Sequence, residues 1–160
     1  MINRIVDGID GIRIGVHVCR GNWSKKDSVH LSGDYAPLVS AFAKMNVRQL
    51  VLEFATPRAG DLGVVGRTLS GREIGLGVAN PRTDDIEPVQ DIVAKVEKAL
   101  AFYAPEAIFL NPDCGFGTFS GCSTSDPATA AAKMKRIVEA AKILRERHGG
   151  RAGRPFGQAA

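Results

Sequence analysis

His17 and Cys19 lie two residues apart in VHVCRGN, Glu53 closes LVLEF, and Cys114 sits in FLNPDCG. Residues two apart in an extended strand point to the same face, so His17 and Cys19 can ligate one metal ion from the end of a strand. Glu53 and Cys114 also follow apolar runs that read as strands, which puts all four at one edge of a parallel sheet. That C-terminal edge is where such folds build their sites. Two thiolates, an imidazole and a carboxylate make a soft-to-borderline donor set that suits Zn²⁺ better than Mg²⁺ or Ca²⁺. Taken singly, each has a plainer reading: a strand-end cysteine is more often a small buried hydrophobe, and a lone glutamate a solvated charge. Their convergence on one edge favours the metal. Any thiol that binds such an ion is deprotonated at neutral pH, and with a formal site charge of about −1 its sulfur keeps much of its nucleophilicity.

The elements that must position these residues alternate along the chain. Four short apolar runs, Ile12–Val18, Gln49–Phe54, Ile74–Ala79 and Ala107–Leu110, read as buried parallel strands. Helical patterns lie between them: Tyr35–Met45 after Asp34, Asp61–Leu69 stopped by Gly71, and Pro88–Phe102 ending before Pro105. The clearest is Ala128–Arg147, with Asp126 as cap, Pro127 opening it, and His148, Gly149 and Gly150 stopping it. Ile2–Ile9 reads as the end of a helix leading into the first strand. Strand and helix repeated four times predicts a parallel α/β protein with right-handed crossovers. One domain is expected over residues 1–148, with 149–160 (GGRAGRPFGQAA) as a disordered tail.

Composition excludes several function classes. The chain has 160 residues and is 44% hydrophobic, ordinary for a globular protein. No apolar run approaches the roughly 20 residues of a membrane helix, and MINRIVDGID lacks a signal peptide's apolar stretch, so a cytoplasmic location is expected. The net charge of +4 is weighted by Arg145, Arg147, Arg151 and Arg154 near the end, and aromatics are only 6%, so a nucleic-acid partner is not expected. Three cysteines, an odd number, argue against a disulfide framework.

The strings HVCRGNW, LEFATPRAGD, GLGVANPRTDDIE and IFLNPDCGFGTF, in this order and at these separations, resemble the C-terminal part of the cobalamin-independent methionine synthase family, over about Ile2 to His148. The resemblance implies the last four β/α units of a (β/α)₈ TIM-type barrel. It also implies a catalytic zinc on His17, Cys19, Glu53 and Cys114, and a small thiol such as homocysteine that accepts a methyl group from methyltetrahydrofolate. Glu53 is the ligand expected to loosen when thiol enters, because a carboxylate is the hardest donor of the set.

CRGNW looks more like the family's shorter relatives, which include epoxyalkane:coenzyme M transferases. Epoxide opening by a thiolate is therefore an alternative reaction, and a noncatalytic zinc-binding half-barrel an alternative role. Where methionine synthases carry a histidine after the third strand, Asn80, Pro81, Arg82, Thr83 and Asp84 stand here. Arg82 is expected to pair with a carboxylate or sulfonate through its planar fork, or else to be a solvated loop arginine. Asp113 is expected to orient a ligand, with Arg20 and Asn22 facing the pocket. Trp23 either leans over the site or packs on the first loop, Cys122 is a bystander thiol, and His30 and His148 are expected at the surface. Four units leave two open sheet edges. A separate N-terminal half-barrel or a homo-oligomer is expected to cover them, the third possibility being a truncated gene product.

Overall fold

The computed structural model describes residues 1–149, apart from the side chains of Asp27 and Cys122; the expected tail over 149–160, beyond Gly149 itself, and the expected role of the Cys122 thiol lie outside the described residues. Helix α1 (Ile2–Val6) precedes strand β1 (Gly15–Val18). Then follow α2 (Ala36–Ala43), β2 (Gln49–Leu52), α3 (Leu62–Leu69), β3 (Glu73–Ala79), α4 (Val89–Ala99) and β4 (Ile108–Pro112). A small hairpin, β5 (Gly117–Phe119) and β6 (Cys122–Ser123), leads into the long helix α5 (Pro127–His148).

The four main strands are parallel and stand in the order β1-β2-β3-β4, so each pairs only with its neighbours in sequence. Asp61 caps α3 by accepting from Gly63 N–H, and Asp126 caps α5 by accepting from Ala128 and Thr129 N–H. Gly149, at φ 63°, ends α5 in the left-handed conformation. The hairpin falls between β4 and α5, where the sequence shows no strand pattern. GFGTFSGCSTS has neither an apolar run nor a clean alternation, so its strands left no pattern to read.

Strand periodicity divides the sheet into two faces. Leu50, Leu52, Ile74, Leu76 and Val78 are buried with Val65, Leu69, Ile92, Val96, Ile137 and Ala140, and Val16, Val18, Ile108 and Leu110 pack against this core. The alternate residues, His17, Val51, Gly75, Gly77, Phe109 and Asn111, line the opposite face. Glycine is required in β3. A β-carbon on Gly75 would meet Val51 and Asn111 at 2.9 Å, and one on Gly77 would overlap Asp113 Oδ1. Side chains of β2 and of the β4 end thus move into space that β3 leaves empty. At the opposite end of the strands, Glu73 pairs with both Arg13 and Arg48 at 2.7 Å.

Among the described residues, no helix is long and apolar enough to cross a membrane.

Candidate metal centre

The ends of β1 and β4 bring together His17, Cys19 and Cys114, whose ligating atoms all lie within 4.8 Å of one another. Cys114 Sγ is 3.1 Å from Cys19 Sγ and 3.6 Å from His17 Nε2. His17 Nδ1 lies 3.2 Å from the carbonyl oxygen of Val51. A carbonyl only accepts, so Nδ1 carries the hydrogen and Nε2 presents its lone pair to the cysteines. Cys19 Sγ accepts from Gly21 N–H at 3.1 Å. Burial pushes the Cys114 thiol well above the ordinary range, reinforced by its hydrogen bonds to Cys19 and Glu53. Without a cation beside it, Cys114 stays protonated. These three residues can hold one metal ion.

Glu53 adjoins this group through Cys114, with Oε1 3.2 Å from the sulfur. It is 1% exposed and meets three arginines: Arg58 Nη2 at 3.2 Å and Arg20 Nη1 at 3.9 Å face Oε2, while Arg82 Nη1 at 3.5 Å faces Oε1. Arg82 is itself fully buried, and its Nη2 lies 3.5 Å from Asp113 Oδ2. The carboxylates it faces belong to the protein. Arg82, expected to grip an anionic group, sits between Glu53 and Asp113 and bridges the ends of β2 and β4.

Asp113 Oδ1 accepts from Phe54 N–H at 2.9 Å and Ala55 N–H at 2.8 Å. The carbonyls of the same two residues accept from Lys95 Nζ at 2.8 and 2.7 Å. Tyr35 Oη accepts from Glu53 N–H at 2.9 Å. The backbone around Glu53 is therefore pinned on every side. Burial pushes the Asp113 carboxyl up to about 6, opposed by the Ala55 and Phe54 N–H groups and by Arg82, whereas the Glu53 charge adds to the rise. Lys133 on α5, also fully buried, reaches Glu87 at 3.1 Å and the Asp85 carbonyl, fastening the loop that carries Arg82.

The two pocket residues expected in the first loop are both buried. Arg20 stacks on the Tyr35 ring at 4.0 Å and donates to the Gly33 carbonyl at 2.8 Å. Asn22 donates to Gly115 O at 2.6 Å, and Thr118 donates to Asn22 O, so the hairpin is tied to the first loop. His30, expected at the surface, is buried. Gly21, at φ 110°, folds the loop back so that His30 meets Trp23 edge-on at 5.0 Å and its Nε2 lies 2.8 Å from the Ser24 carbonyl. Trp23 keeps 56% of its surface and packs on the first loop. His148 is exposed, as expected, beside Glu97. Arg58, Lys95 and Tyr35 were not foreseen. Tyr35 and Lys95 meet backbone groups 18 to 41 residues away, which leave no local spacing in the sequence, whereas Arg58 lies only five residues from Glu53 in an irregular turn.

Residues 10–143 match the family described as cobalamin-independent synthase, catalytic domain. The chain is 35% identical over 145 residues to a methionine synthase of Pyrococcus abyssi and 33% identical to that of Pyrococcus horikoshii, covering 91% of this chain and 37% of each relative. The chain thus spans well under half the length of these relatives. Its fold is similar to a B12-independent methionine synthase from Shewanella sp. W3-18-1, solved in complex with selenomethionine. The TM-score is 0.76 at 19% identity, over 91% of this chain and 42% of that one. The four β/α units are accordingly half of a (β/α)₈ barrel arrangement. The chain belongs to the cobalamin-independent synthase family, within its catalytic domain.

Proposed function

We propose that this chain is the zinc-bearing part of a thiol alkyltransferase of the methionine synthase type, preparing a homocysteine-like thiol to accept a methyl group from methyltetrahydrofolate. The carrying observation is the convergence of His17 Nε2, Cys19 Sγ and Cys114 Sγ, with Glu53 beside Cys114. The donor set fits zinc. Bond lengths of about 2.3 Å to sulfur and 2.0–2.1 Å to nitrogen imply a tetrahedral S···N edge of about 3.6 Å, and Cys114 and His17 lie 3.6 Å apart. The two sulfurs, at 3.1 Å, sit closer than the corresponding edge and would have to part slightly to take the ion. His17, Cys19 and Cys114 would hold the ion, with Glu53 as the fourth, exchangeable ligand.

When bound, zinc supplies the positive charge that favours thiolate over thiol. The protein supplies the rest. Val51 O fixes the His17 tautomer, Gly21 N–H orients Cys19, and Asp113 with Lys95 holds the backbone from which Glu53 projects. The substrate sulfur gives an electron pair to the methyl carbon as the carbon–nitrogen bond of the donor breaks and that nitrogen takes up a proton. Among the described residues β1 and β4 have open backbone edges, which call for further β/α units to complete a barrel, whether from more of a longer chain, a separate N-terminal half-barrel or a second copy.

Native mass spectrometry with metal analysis tests this reading on wild type and Cys114→Ser, with and without homocysteine. One zinc per chain, lost in the variant and joined by thiol mass in the wild type, is expected. Zinc that ignores thiol would make the site structural, and a wild type that binds no zinc would sink the proposal.

A further inference from the structure

Glu53 offers its two oxygens to different neighbours. Oε1 faces Cys114, whereas Oε2 accepts a hydrogen bond from Arg58 Nη2 at 3.2 Å. Of the three arginines around Glu53, Arg58 makes the closest contact. Arg20, at 3.9 Å, is held by its stack on Tyr35 and its bond to Gly33 O, and Arg82 divides itself between Glu53 and Asp113. Arg58 lies on the one-turn 3-10 helix Pro57–Ala59, and its carbonyl accepts from Gly33 N–H at 3.2 Å, which ties that turn to the first loop. Its second terminal nitrogen, Nη1, is buried with no hydrogen-bond partner among the described residues.

We propose that Arg58 is a positioning residue that holds Oε2 away from the cysteines, so that Glu53 offers one weakened oxygen to the metal and withdraws onto the Arg58 fork when a thiol enters. This rests on the zinc reading above. A guanidinium bound to one carboxylate oxygen draws charge from the other and makes it a poorer donor. The spare Nη1 is what a withdrawing carboxylate needs to exchange a single bond for a two-bond fork. Charge points the same way. Among the described residues the ion pairs of Arg20, Arg58 and Arg82 are with Glu53 and Asp113 alone, leaving one positive charge uncompensated in this arginine cluster, and zinc with two cysteinates adds none. An entering thiolate neutralises the cluster.

The test uses the full chain loaded with zinc, comparing wild type, Arg58→Met and Arg58→Lys. Zinc affinity is read by chelator competition and homocysteine binding by calorimetry. Arg58→Met should raise zinc affinity about three- to tenfold, because a nearby positive charge is gone and Glu53 becomes a stronger donor, and should weaken homocysteine binding by about tenfold or more. Arg58→Lys keeps the charge but not the fork, so zinc affinity should stay within about twofold and homocysteine binding fall about threefold. If Arg58→Met changes neither quantity, or lowers both together as a scaffold defect would, the proposal is wrong. If the methionine variant does not fold, homocysteine affinity in Arg58→Lys equal to wild type overturns it instead. A wild type that binds zinc but shows no response to homocysteine would remove the reading beneath it as well.

Discussion

Cys19 and Cys114 follow the two outermost strands of a four-stranded sheet, yet their sulfurs lie 3.1 Å apart. Neighbouring strands are spaced about 4.8 Å, so in a flat sheet three intervals would separate β1 from β4 by about 14 Å. Strand twist and curl, with both side chains turned to the same face, close that gap.

Two thiols so close in a metal-free chain are set for oxidation. Diamide treatment of the chelated protein should therefore form a Cys19–Cys114 disulfide, seen as a loss of two mass units and a cross-linked peptide, and prior loading with zinc should block it. Equal oxidation with and without zinc would mean that the metal does not sit between these sulfurs.

Zinc should also stabilise the fold, and more so at higher pH. At a free concentration of about a thousand times Kd, ligand linkage contributes about 4 kcal/mol, or roughly 10 °C in Tm for a domain of this size. Burial holds Cys114 protonated in the metal-free chain, so binding must release that proton. Apparent affinity should thus rise about tenfold per pH unit from this thiol alone, and fall by the same factor as pH drops. Calorimetric scans at pH 6, 7 and 8 check the sign, and a shift in Tm that shrinks as pH rises would contradict it.

Gly77 has no room for a side chain because Asp113 Oδ1 occupies the place of its β-carbon. Gly77→Ala should push Asp113 off the Phe54 and Ala55 N–H groups and cost about 1–3 kcal/mol, the usual penalty for overpacking. Since those bonds pin the backbone beside Glu53, zinc affinity should drop as well. Urea unfolding and chelator competition measure the two effects, and a variant matching wild type in both would show that Asp113 does not anchor the site.

Much of this was legible in the residues alone. Buried parallel strands leave continuous apolar runs, and Asp61, Asp126 and Pro127 mark helix starts, so all four β/α units stood out within a few residues of their observed limits. The spacing of His17 and Cys19 placed two donors on one face. What lay hidden depended on contacts across the sequence: Lys95 meets carbonyls 40 and 41 residues away, and Asp113 meets amides 58 and 59 residues away. The glycines of IGLGVA read as strand, but the reason for them, the side chains of Val51, Asn111 and Asp113, could only be seen in three dimensions. His30 looked like a surface residue because its burial comes from a loop folding on itself.

The strand order carries a kinetic consequence. Because each strand pairs with its neighbour in sequence, each pairing closes one β/α unit of chain and no more, the least loop-closure entropy that a parallel sheet allows. The candidate metal donors do not follow that order. His17 and Cys19 come from the first unit and Cys114 from the fourth, and 95 residues separate the two cysteines. The two cysteines can meet only once the fourth unit has docked, so a metal held by both would report on a sheet already in place.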